Sequence, residues 1–170
     1  ITSSLPSTAL TPSTPCVLTA SATPASPLMT YQWNLDGVAI TGATNASINA
    51  DVQHLGSYTC TVTINGTCAN TSNRITLRDS LSKALFVLPN PNNGSFQVLY
   101  NSRMIGLGNP MSVIIYDAHG ARVYQKTYTP TAAYGSMDVI MNSASKGIYF
   151  IDLIDGGGVR LASGKVMVNP

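Results

Sequence analysis

The sequence predicts an all-β protein built as two β-sandwich domains, and three observations carry that prediction. Short β-branched and aromatic runs alternate with Gly, Asn and Pro, and no segment shows a helical apolar stripe. Only 9% of the chain is charged and Glu is absent, so surface polarity rests on Ser, Thr, Asn and Gly, which suits strands and turns better than exposed helices. The strands fall into two groups of about 65 and 85 residues on either side of a short polar stretch. The same composition limits function. A net charge of +2 is too small to draw nucleic acid or an anionic membrane by charge alone, and no apolar run approaches the roughly 18 residues of a membrane span.

Taken in order, residues 1–14 are rich in Ser, Thr and Pro without a continuous apolar segment. They read as an extended linker and not as a signal peptide, which makes the chain the expected C-terminal part of a longer protein. Strands are expected over Val17 to Thr23, Thr30 to Asn34, Gly56 to Ile64 and Thr71 to Leu77, within a first domain spanning 15–78. Asn65-Gly66 predicts a type I′ hairpin, because both central residues of that turn need positive φ. A polar joint over 79–84 follows, and a second domain fills 85–170. Its strands are expected at Leu85 to Leu88, Ser95 to Tyr100, Met111 to Asp117, Ala121 to Tyr128, Met137 to Met141, Ile148 to Ile154 and Val159 to Val168, a compact seven-stranded sandwich. Asp117-Ala118-His119-Gly120 reads as a hairpin loop with Gly in the left-handed position, and Asp155-Gly156-Gly157-Gly158 as a looser, mobile break.

In the first domain, Asp51 leads into Gly56-Ser57-Tyr58-Thr59-Cys60, and upstream Tyr31-Gln32-Trp33 precedes an Asp36-Gly37 turn. This combination resembles the immunoglobulin fold, with its buried Trp and its tyrosine two residues before a Cys. It also resembles the immunoglobulin-like repeats of secreted Bacteroidetes proteins. The match departs at one point. Ala20, 13 residues before Trp33, stands where the inter-sheet Cys belongs, and Cys16 lies four residues earlier on the same face, roughly 13 Å lower. Cys16, Cys60 and Cys68 permit at most one internal bridge, expected to form with one thiol left over. Cys16 with Cys60, Cys16 with Cys68, Cys60 with Cys68 and no bridge all stay open. Trp33 reads as core, and His54 as a solvated turn residue.

The second domain carries three blocks. Pro89, Asn90 and Pro91 lead through Gly94 to Phe96; Tyr116 and Asp117 lead to Gly120; Gly147 and Tyr149 are followed by the terminal Lys165 and Val166. Pro89 and Pro91 remove two ladder donors and hold Leu88 and Asn90 extended, which interrupts a strand in a fixed shape. In order and spacing the blocks resemble the type A C-terminal sorting domain of the type IX secretion system of Bacteroidetes. That resemblance implies an address label and not a catalyst. It implies as partners an outer-membrane translocon and a cell-surface sortase, passage through the periplasm, and cargo released or attached to anionic lipopolysaccharide at the cell surface. It implies no cofactor.

Catalysis is not expected from the residues themselves. The seven carboxylates are all Asp, most beside turns, and Asp152 and Asp155 fall on opposite faces of a continuous strand. Two His without a Cys-x-x-Cys or His-x-x-x-His pattern give no metal set. The competing reading is a surface adhesin or carbohydrate-binding module on the first domain, which exposed aromatic side chains would favour.

Overall fold

The computed structural model describes residues 1–23, 25, 28–142 and 144–170. They form two compact units, Ile1–Ser80 and Leu81–Pro170.

The first unit holds β1 (Thr2–Ser3), β2 (Ala9–Leu10), β3 (Cys16–Thr19), β4 (Met29–Leu35), β5 (Val38–Ala39), β6 (Ser47–Ala50), β7 (Gly56–Ile64), β8 (Cys68–Thr71) and β9 (Ile75–Asp79). One sheet runs β1-β3-β6 and the other β2-β9-β7-β4-β5, with β8 also on β7. Alternation along β7 drives Tyr58, Cys60 and Val62 inward, and Trp33 of β4 and Leu18 of β3 are buried as well. Trp33 is fully buried and its Nε1 donates to the Asn45 carbonyl at 2.9 Å, so the indole costs the core no unpaired donor.

Residues 1–14 are not a linker. β1 pairs antiparallel with β3, β2 runs parallel to β9, and Leu10 is fully buried. Two-residue strands in a Ser/Thr/Pro-rich stretch carry too few alternating apolar positions to show in the sequence. The run read as one strand from Thr71 to Leu77 is two. Ser72 breaks it by taking the Cys60 amide onto its Oγ at 2.9 Å, after which β9 pairs with the other half of β7. At the β7–β8 hairpin, Asn65 and Gly66 have φ of 53° and 69°, the type I′ signature.

The second unit has seven strands among its described residues: β10 (Phe86–Leu88), β11 (Ser95–Leu99), β12 (Met111–Tyr116), β13 (Arg122–Tyr128), β14 (Met137–Ile140), β15 (Gly147–Asp155) and β16 (Arg160–Val168). They form a three-stranded sheet, β10-β11-β14, and a four-stranded one, β13-β12-β15-β16. The core between them is made by the inward residues of each strand, among them Phe96, Val98, Val113, Ile115, Ile151 and Val166. The Asp155 loop is not loose. Its carboxylate accepts from the Gly157 and Val159 amides, both at 2.9 Å, as Asp117 accepts from His119 and Ala121 at 2.8 and 2.9 Å. Gly158 and Gly120 close the two turns at φ of 84° and 80°.

Candidate functional site

The three blocks of the second unit, far apart in sequence, meet at one end of the four-stranded sheet. β12 ends there at Tyr116, β15 begins at Gly147, and Lys165 and Val166 lie in the last stretch of β16, which ends at Val168 opposite Gly147. Tyr116 stands opposite Phe150, and Phe150 opposite Lys165. Val166 is fully buried, whereas Lys165 beside it is exposed, as alternation requires.

The opening block reaches this end through a side chain. Asn90 Nδ2 donates to the Lys165 carbonyl at 3.2 Å, and its Oδ1 accepts from the Met167 amide at 2.9 Å. A carboxamide carries one donor and one acceptor side by side, the same pair a backbone rung presents, so Asn90 completes the β16 edge as a strand would. The flanking Leu88-Pro89 and Asn90-Pro91 bonds are both cis. Asn92 continues the pairing with its backbone: its amide donates to the Met167 carbonyl at 3.0 Å and its carbonyl accepts from Asn169 at 2.7 Å. Its buried side chain accepts from the Gly94 amide at 2.8 Å and donates to the Pro89 carbonyl at 3.2 Å, which locks the turn. Gly94 has φ of 100°, and a Cβ there would lie 3.0 Å from the Met141 carbonyl oxygen, so no other residue fits without strain. Phe96 then enters the core.

The middle block forms the Asp117 turn between β12 and β13, and the third places Tyr149 inside, its hydroxyl donating to the Ser145 carbonyl at 2.9 Å. Asp117, Gly147 and Tyr149 also border a cleft of about 600 Å³ between the edges of β13 and β14, with Tyr124 and Ile140 on its walls. Next to Tyr124, Tyr128 donates to the Asp138 carbonyl and hydrogen bonds to the Tyr124 hydroxyl at 2.8 Å. Burial and that bond push the Tyr128 phenol far above its ordinary range.

Asn92, Phe150 and Met167 belong to this end of the sheet and were not singled out in the sequence. A pair of large apolar residues on the outward positions of β15, Ile148 and Phe150, was the available signal for the last two.

In the first unit, Tyr58 donates to the His54 carbonyl at 2.6 Å, the corner that the immunoglobulin resemblance implies. Burial first, then the carboxylates of Asp51 and Asp36, push its phenol up to about 12. His54 Nδ1 lies 2.9 Å from Asp51 Oδ1, with both side chains largely in solvent. All three cysteines are free thiols in the structure, so the expected bridge is absent: Cys16 and Cys60 are buried in different sheets and Cys68 is exposed. The Ile64–Cys68 register puts Cys68 four rungs along β7 from Cys60, roughly 13 Å, beyond disulfide reach. Among the described residues no group of three or more His, Cys or Asp is placed to hold a metal ion.

Residues 86–169 match the family described as the secretion system C-terminal sorting domain. No curated protein matches the chain. Solved structures share distant likeness. The mixed-linkage glucan utilization locus protein SGBP-B of Bacteroides ovatus, in complex with a mixed-linkage heptasaccharide, is 17% identical at a TM-score of 0.36, over 94% of this chain and 42% of that one. The chicken interferon gamma receptor alpha chain is 11% identical at 0.34, over 92% of this chain and 93% of that one. Dimeric latent PorU from Porphyromonas gingivalis is 16% identical at 0.34, over 91% of this chain and 18% of that one. The chain thus spans less than half of the first of these.

Proposed function

Because its second unit belongs to the secretion-system C-terminal sorting domains, and is a sorting signal for type IX secretion, we propose that the chain delivers the polypeptide ahead of it to the cell surface. In this reading an outer-membrane translocon reads the folded second unit after periplasmic transit, a surface sortase cuts ahead of it, and the cargo is released or joined to anionic lipopolysaccharide. The first unit serves as a spacer. A sorting domain of this kind is not a catalyst.

The observation that best supports this reading is the convergence of all three motif blocks on one end of one sheet, tied by Asn90 to the backbone of Lys165 and Met167. Fusing residues 81–170 to a periplasmic reporter in a Bacteroidetes host tests it. The reporter should reach the surface or medium, and should stay in the periplasm when Lys165 to Pro170 are deleted or the secretion system is disabled. Equal delivery without residues 81–170 would make a surface adhesin or carbohydrate-binding module the better reading.

A further inference from the structure

The outer face of the four-stranded sheet is divided. At one end its polar side chains satisfy one another: Ser112 and Thr127 are 2.7 Å apart, Ser163 donates to Asp152 at 2.7 Å, and Arg160 lies 3.7 Å from the same carboxylate. At the end where the motif blocks meet, open apolar side chains stand between two charged ones. Arg122, Tyr116, Phe150 and Lys165 form one rung across all four strands, and Ile148 and Met167 pair on the next. Directly paired residues share a face, and the opposite face is taken by the core residues Ile115, Tyr149 and Val166. Phe150 is 51% exposed, Met167 47% and Ile148 45%. Strand propensity alone does not require this, since Thr would serve in its place. Contiguous exposed apolar side chains rimmed by charge mark interaction surfaces.

We propose that this rung is a docking surface for a protein of the secretion machinery whose contact face is apolar at its centre and flanked by carboxylates; the proposal deepens the sorting reading and rests on it. Charge selects the occupant. Residues 81–170 hold seven Lys and Arg against four Asp, and all four carboxylates are engaged. Asp117 and Asp155 bind the amides of their own turns, Asp138 binds Gln97 and Ser136, and Asp152 binds Ser163. Arg122 is steadied by Gln125 at 2.7 Å and keeps its remaining donors. It and Lys165 sit on the two edge strands of the sheet, three inter-strand steps or roughly 14 Å apart. Fixed carboxylates around an apolar centre match that spacing on a protein surface, with aromatic anchors inside and a charged rim outside. A second copy would bring like charges together, and a lipid surface has no fixed apolar centre at that spacing.

The test uses the full chain in a host with an intact type IX system. Phe150→Thr, which keeps strand propensity, and Lys165→Glu, which changes an exposed side chain, should each cut the exported fraction about tenfold. Thermal unfolding should not shift, and Thr127→Ala at the self-satisfied end should export like the parent. If Phe150→Thr loosens the fold, Lys165→Glu alone decides. Parental export by Lys165→Glu, with export of the parent still dependent on the secretion system, overturns the docking surface and leaves the sorting reading standing. Delivery of the parent in a secretion-disabled host overturns both. Loss of self-association in Phe150→Thr, or of binding to phosphatidylglycerol vesicles in Lys165→Glu, with export unchanged in either case, assigns the patch to a second copy or a membrane and also overturns the proposal.

Discussion

Two tyrosines in different units make the same bond. Tyr58 and Tyr149 each follow a strand-opening Gly by two residues, turn inward, and donate to the carbonyl four residues earlier. Their hydroxyls thereby fix how each strand enters its sheet. The buried phenol of Tyr58 has a measurable consequence. Its ionisation is pushed up to about 12, whereas in the unfolded chain it ionises near 10. Its contribution to stability is therefore complete below pH about 10 and is lost as pH rises through 12, because only the unfolded state gives up the proton in that window. Denaturant titrations of the parent and of Tyr58→Phe at rising alkaline pH should show the parent losing stability over that range more steeply than the variant. Burial also governs the thiols. Cys16 and Cys60 are fully buried, and burial raises the Cys60 thiol, so a maleimide should label Cys68 alone in the folded protein and the other two only after unfolding. Rapid labelling of Cys60 in the native state would contradict this placement.

Among the elements, the hairpins between β12 and β13 and between β15 and β16 are one device used twice. Each has an Asp whose carboxylate takes two amides ahead of it and a left-handed Gly to close the loop. Neither Gly120 nor Gly158 has an atom within 4 Å of an added Cβ, so substitution meets backbone strain alone. Gly120→Val and Gly158→Val should each cost about 1–2 kcal/mol, and by similar amounts; a thermal melt of each distinguishes this from a packing defect of unequal size. What was legible here follows from where the signal lies. The strand from Gly56 to Ile64 shows in full because its three inward positions, Tyr58, Cys60 and Val62, alternate cleanly, and the Asn65-Gly66 turn shows because its backbone admits few residue types. The Asp155 loop was misread because three consecutive Gly suggest freedom, while the order comes from the side chain before them. Strands β1 and β2 were too short to alternate. At the site, the blocks themselves were legible, but the bond from Asn90 to the β16 edge was not, since a side chain pairing with backbone 75 residues away leaves no periodicity. Phe150 was hidden because an outward aromatic looks like any strand former.

On the scale of the whole molecule, the second unit holds its own core between Leu85 and Val168, so residues 81–170 made alone should unfold in one cooperative transition. Removing Lys165 to Pro170 takes away Val166 and Val168, both fully buried. At about 1.5–3 kcal/mol for each side chain, against a usual reserve of 5–15 kcal/mol for a domain, circular dichroism of the truncated unit should show a large fall in its melting temperature or no transition at all. An unshifted melt would place the terminal strand outside the cooperative unit. The Asn90 contact bears on more than cohesion. A terminal strand with one neighbour offers its other side to any extended chain it meets, the usual beginning of ordered aggregates. With a carboxamide and the Asn92 backbone already seated along the end of β16, that side is taken. The segment from Pro89 to Asn92 thus also works as a guard, leaving a second chain no free backbone to pair with along that stretch of β16.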